Sequence, residues 1–181
     1  GEKSKNTLIY VIKHKNREAA QKSWKAFGSD PAWKKVARES QVDGKILAQK
    51  PDSVYMNITD YSPHWKGGEA QKDDVFELRI YKSANGKLGK LDARFRDYTI
   101  RIFEKHGMNS VAYWHPVDEP DSKDTLIYII KHENRAAAKN SWKAFLTDPD
   151  WKKAAKASGV GRLAKPPAAT YMQPTDYSAI R

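Results

Sequence analysis

Two periodicities alternate along the chain. Residues 75–81 (VFELRIY) alternate apolar and polar positions, the pattern of a half-buried strand. Residues 88–106 switch to helical spacing, with Leu91, Phe95, Tyr98, Ile102 and Phe103 on one side. That helix closes with Lys105 and His106 in its last turn and Gly107 just beyond. Residues 110–117 form a second strand, stopped by Pro116 and the turn-forming Asp118 to Asp121. Residues 126–130 (LIYII) are short, β-branched and aromatic, as a buried strand requires. Ala138, Trp142 and Phe145 then give the next helix an apolar face. Asp148-Pro149-Asp150-Trp151 restarts a helix, with Asp148 as N-cap and Pro149 at the first helical position. Residues 169–173 (ATYMQ) read as a last strand. The order strand-helix-strand-strand-helix-strand predicts an α+β, ferredoxin-like βαββαβ module.

The second half of this module occurs twice. Residues 7–40 and 125–158 match at 23 of 34 positions without a gap. Thr59-Asp60-Tyr61-Ser62 then corresponds to Thr175-Asp176-Tyr177-Ser178. Asp30-Pro31-Ala32-Trp33 repeats the helix restart, and residues 54–58 are the equivalent of the last strand. The chain therefore divides into residues 1–62, the C-terminal half (βαβ: strands 3 and 4 with helix 2) of a first module; a Gly-containing linker at 63–74; and a complete module at 75–181. In the usual sheet order 4-1-3-2, strand 1 lies between strands 3 and 4. The half-copy lacks that strand, and open edges beside a bare apolar helix face are unfavourable. Its two strands are expected to find no partner within the 181 residues, so that a strand-helix-strand must be supplied from outside, by an upstream segment or by a second chain; a homo-oligomer is one form of the latter.

The series Phe76-Glu77-Leu78-Arg79-Ile80-Tyr81, Phe103-Glu104-Lys105-His106-Gly107-Met108, Ala112-Tyr113-Trp114, Trp142-Lys143-Ala144-Phe145, Asp148-Pro149-Asp150-Trp151 and Thr175-Asp176-Tyr177-Ser178 resembles the NIPSNAP family. The likeness covers residues 75–178, and its later motifs recur in 7–62. It implies the dimeric α/β-barrel architecture, in which two ferredoxin-like modules pack sheet against sheet with helices outside. It also implies a binding or interaction protein with no assigned reaction. The family is associated with vesicle trafficking and mitochondrial quality control in animals, and its bacterial members mostly lack a reaction. Related barrels include cofactor-free monooxygenases and isomerases, so a small enzyme of that kind is the alternative.

Composition narrows the partners. The net charge is +11, from 33 Lys and Arg against 22 Asp and Glu. Residues 1–62 carry 12 basic and 7 acidic side chains and 63–181 carry 21 and 15, so the excess is spread along the chain. With no RRM, KH or helix-turn-helix signature, specific nucleic-acid binding is not expected. No apolar run is long enough to span a membrane. The chain has no cysteine, which excludes disulfides and thiolate chemistry. The start at Gly1 and the missing cysteine leave the compartment open, with a lean towards an extracytoplasmic bacterial setting.

Candidate chemistry centres on the first strand of the complete module. Phe76, Leu78 and Ile80 share one face, and Glu77, Arg79 and Tyr81 share the other. The apolar set is expected to meet the helices. The polar set is then expected in the barrel interior, joined by Tyr113 and His115, as a site for a small anionic or aromatic ligand. The competing reading is a self-satisfied Glu–Arg pair that cements the sheet. No metal site or cofactor is expected, because the five histidines show no two-His helical spacing and no phosphate loop exists. Trp24, Trp33, Trp142 and Trp151 read as packing residues.

Overall fold

The computed structural model describes residues 3–64 and 73–179. The linker expected at 63–74 falls mostly on residues 65–72, which lie outside the described residues. The chain divides into two compact units, Gly1–Tyr55 and Met56–Arg181.

In the first unit, helices α1 (Lys3–Asn6), α2 (Arg17–Ser29) and α3 (Pro31–Glu39) follow one another. The Asn16 side chain caps α2 by accepting from the Ala19 N–H at 2.8 Å. Asp30 ends α2 and starts α3: its carboxylate accepts from the N–H groups of Ala32 and Trp33 at 2.7 and 3.1 Å. Phe27 packs against Trp24 and Trp33. The strand expected near residues 7–12 does not form, and Leu8, Ile9, Tyr10, Val11 and Ile12 are exposed. The residues have the right composition, but a strand exists only through hydrogen bonds to a neighbour.

The second unit runs β1 (Met56–Ile58), β2 (Val75–Lys82), α4 (Leu88–Arg94), a π-helical turn at Phe95–Thr99, α5 (Ile100–Lys105), β3 (Asn109–Pro116), β4 (Thr125–His132), α6 (Arg135–Thr147), α7 (Pro149–Ala157) and β5 (Ala168–Met172). Its antiparallel sheet has the order β1-β3-β4-β2-β5. The complete module supplies β5-β2-β4-β3, the ferredoxin-like arrangement. Strand β1 comes from the first repeat copy and takes the outer edge of β3, pairing Met56 with Pro116 and Ile58 with Trp114. The Thr59 N–H extends the pairing to the Tyr113 carbonyl at 2.9 Å. The expectation that this strand finds no partner within the chain is thus corrected. It is shorter than 54–58, and its partner is the exposed edge of the other module.

The sheet has two different faces. Towards the helices, Tyr81, Leu91, Phe95, Phe103, Tyr113, Tyr128 and Phe145 belong to one buried cluster. On the opposite face Phe76, Val111 and Ile129 gather with Leu78, Trp114 and Met172. The expected faces of β2 are therefore exchanged: Glu77, Arg79 and Tyr81 turn towards the helices. The reason is hydrogen bonding, since the donors that satisfy Glu77 include the indole of helix α6. A bulge between Ser110 and Ala112 makes Val111 an extra residue in β3, so that it lies opposite Tyr113 rather than beside it.

Candidate functional site

Strand β2 sits between β4 and β5, so its middle is covered at both edges. Glu77 is fully buried there. Its Oε1 accepts from Arg79 Nη1 at 2.6 Å. Its Oε2 accepts from Trp142 Nε1 at 2.7 Å and meets His132 Nε2 at 2.9 Å. Burial pushes the Glu77 carboxyl up, but the His132, Trp142 and Arg79 donors outweigh it and hold it below the usual carboxylate range. Arg79 lies over the Trp142 ring, 4.2 Å from its centroid, and donates to the Tyr81 hydroxyl at 3.3 Å. Burial opposes its charge, while Tyr128, Tyr81 and Glu77 more than offset this and keep it protonated.

Arg79 and Tyr81 line a cleft of about 520 Å³ with Trp142, Trp151 and Leu146. A second guanidinium, Arg94, lies in the same wall, stacked 5.0 Å from the centroid of Trp151. It is the last residue of α4 before the π turn, and Thr99 Oγ1 donates to its carbonyl at 3.1 Å. Burial pushes its pKa down. Sequence reasoning missed Arg94. The available signal was a cation beside Phe95 in the apolar stripe of that helix. The Trp142–Glu77 bond was missed as well, although a buried indole N–H requires an acceptor.

The five expected site residues do not form one site. Glu77, Arg79 and Tyr81 are together at the cleft. Tyr113 and His115 also face the helices, but they belong to a second cluster around the tail of the first repeat copy. There the Tyr61 hydroxyl donates to Asp92 Oδ1 at 2.7 Å. His115 reaches the same oxygen through Nε2 at 3.1 Å, while Nδ1 donates to the Thr125 carbonyl at 2.9 Å. Asp92 is the first cause that raises the His115 pKa, against the effect of burial. Arg96 grips Asp60 with two hydrogen bonds of 3.1 and 2.8 Å. The Tyr113 N–H donates to Ser62 Oγ at 3.0 Å, and its hydroxyl bonds Ser110 at 2.7 Å. A His115–Tyr113–Arg79 cluster is not assembled.

Among the described residues no group of three or more His, Asp or Glu side chains is placed to hold a metal. No helix among them is long and apolar enough to cross a membrane.

These features define a ferredoxin-like α+β module with a helix-side cleft and a strand added at its edge. The NIPSNAP family profile matches residues 76–179, and the chain belongs to that family. Similar solved structures include an uncharacterized NIPSNAP-like domain protein from Burkholderia xenovorans, at 15% identity and a TM-score of 0.52, covering 60% of this chain and 90% of that one. A NIPSNAP family protein of unknown function from Agrobacterium tumefaciens aligns at 17% identity and 0.52, covering 60% and 95%. A second from the same organism aligns at 20% and 0.52, covering 60% and 99%. At these identities the likeness concerns the fold. A comparison with curated proteins finds no match.

Proposed function

We propose that the chain is a binding protein rather than a catalyst, and that it holds a small anionic or aromatic molecule in the cleft beside Arg79 and Tyr81. The cleft carries this reading. Its volume of about 520 Å³ falls in the range of small-molecule sites, and its walls combine aromatic rings with a few fixed polar groups. The ionisable groups favour binding over proton transfer. A general acid or base works best near the operating pH and within reach of the reacting atom. Glu77 is instead held as a carboxylate by three donors and is fully buried.

The test is ligand-observed NMR on the whole chain with indole, 2-naphthol and 2-naphthoate, repeated on Leu146→Trp. Leu146 lines the cleft and is exposed, so a larger ring there fills the space without touching Glu77. At least one probe is expected to bind the parent and to lose its signal in the variant. No binding, or binding unchanged by Leu146→Trp, contradicts the reading.

The same protein is proposed to be one partner in a two-module barrel. The first copy supports this: its strand-forming residues and the rings of Trp24, Phe27 and Trp33 are exposed, whereas Leu126 and Phe145, their counterparts in the complete module, are buried. The covering element is a strand-helix-strand of the kind formed by residues 75–117, from an upstream segment in the first instance.

A further inference from the structure

Arg94 is the one side chain of the cleft whose charge the surrounding residues leave unbalanced. Arg79 has its counter-ion in Glu77, at 2.6 Å. Arg94 is 7% exposed, and among the described residues its Nε has no hydrogen-bond partner and no ion pair joins it. A buried cation without a counter-ion is costly, and buried polar atoms without partners are rare enough to need a cause. One more such atom belongs to the same cleft: Arg79 Nε, on a side chain lining it. Two unpartnered polar atoms, one on each guanidinium, thus sit on side chains that line one opening. The remaining wall is apolar or aromatic, including Phe145, Leu146 and Trp151.

We infer that the cleft takes a small organic monoanion, with a carboxylate head against Arg94 and an apolar or aromatic body along Trp142 and Trp151. The inference rests on the binding reading above and sharpens it. Arg79 is already matched by Glu77, so it orients the head through hydrogen bonds, while Arg94 supplies the net positive charge. One unmatched cation calls for one negative charge. The π turn that begins directly after Arg94, bonded back to its carbonyl by Thr99, fixes the backbone beneath it.

Calorimetric titration of the full chain with 2-naphthoate, 2-naphthol and inorganic phosphate separates the contributions. The naphthoate is expected to bind at least ten-fold more tightly than either the neutral naphthol or phosphate alone. Arg94→Met should erase the preference for naphthoate over naphthol. Arg94→Lys should restore part of it. The ligand-free Arg94→Met protein should melt no lower than the parent, because an unmatched buried charge has been removed. Equal binding of naphthoate and naphthol by the parent, or a preference that survives in Arg94→Met, overturns the inference and leaves the binding reading intact. Should Arg94→Met fail to fold, the naphthoate-to-naphthol ratio in the parent decides alone. Failure of all three probes to bind overturns both.

Discussion

Helices α2 and α3 of the first copy and α6 and α7 of the second are built from the same parts. Asn16 and Asn134 each cap the first helix by accepting from the N–H three residues on, both at 2.8 Å. Asp30 and Asp148 each start the second helix. Trp24, Phe27 and Trp33 stack with centroid distances of 5.9 and 4.4 Å; Trp142, Phe145 and Trp151 do so with 5.6 and 4.4 Å. The preceding segments differ completely. Residues 125–132 form a buried strand in which Leu126 is 0% exposed, whereas Leu8, its equivalent, is 58% exposed and unpaired. Caps and local ring stacks are determined by residues a few positions apart, so they form in both copies. A strand is a relation between segments, so the same residues form one only where a neighbour exists.

The two copies should differ most when the central ring of each stack is truncated. Phe145 is 2% exposed and lies in the main core, so Phe145→Ala should cost about 3–5 kcal/mol. Phe27 is 44% exposed, so Phe27→Ala should cost under about 1 kcal/mol. Urea unfolding midpoints of the two variants measure the difference. Equal losses mean that the first copy is packed on that face by something the comparison overlooks.

A neighbour supplied to the first copy should turn its exposed segment into a strand. A second copy of residues 75–117 fused ahead of Gly1 would offer residues 7–12 the strand that β2 offers β4. Amide hydrogen exchange at Leu8 to Ile12 should then slow at least ten-fold, about 1.4 kcal/mol of added protection by RT ln 10. Exchange rates that match those of the unfused chain remove the two-module proposal.

Much of the fold was legible for the same reason that the copies share their helices. Residue periodicity located β2 to β5 and the helices, and Asp148-Pro149 marked a helix start that the structure keeps. Three features were not legible. The π turn at Phe95–Thr99 leaves the helical spacing almost unchanged. The pairing of β1 with β3 depends on a distant edge, since Met56 meets Pro116 and Ile58 meets Trp114. The face of β2 was misread because Glu77, Arg79 and Tyr81 look polar in sequence, whereas Glu77 meets Trp142 and His132 on the helix side and Tyr81 carries an apolar ring into the core. Arg94 was passed over because an arginine in an amphipathic helix normally reaches water.

The smallest effect concerns how the first copy's tail holds on to β3. Asp92 Oδ1 receives both the Tyr61 hydroxyl and His115 Nε2, so one carboxylate ties residues 59–62 to the module. Tyr61→Phe removes a single hydrogen bond and should cost about 1 kcal/mol. His115 adds a pH dependence of known sign. The groups facing it are Asp92, the Thr125 carbonyl and, more distantly, Asp60; Asp92 is the largest cause raising its pKa above the ordinary value of 6.5. A group with a raised folded pKa stabilises fully below its unfolded value and loses that contribution as pH rises through the folded one. Stability should therefore fall above pH 6.5 in the parent and in Tyr61→Phe alike, because the histidine keeps Asp92 in both. Asp92→Asn should lower stability below pH 6.5 and flatten this fall, since an amide neither attracts the imidazolium nor offers a charged acceptor to Tyr61. Thermal unfolding from pH 5.5 to 9 reads all three proteins. A fall of equal size in Asp92→Asn would show that the pH dependence originates elsewhere, and the tail would then be held by the backbone pairing of β1 and the Arg96–Asp60 grip.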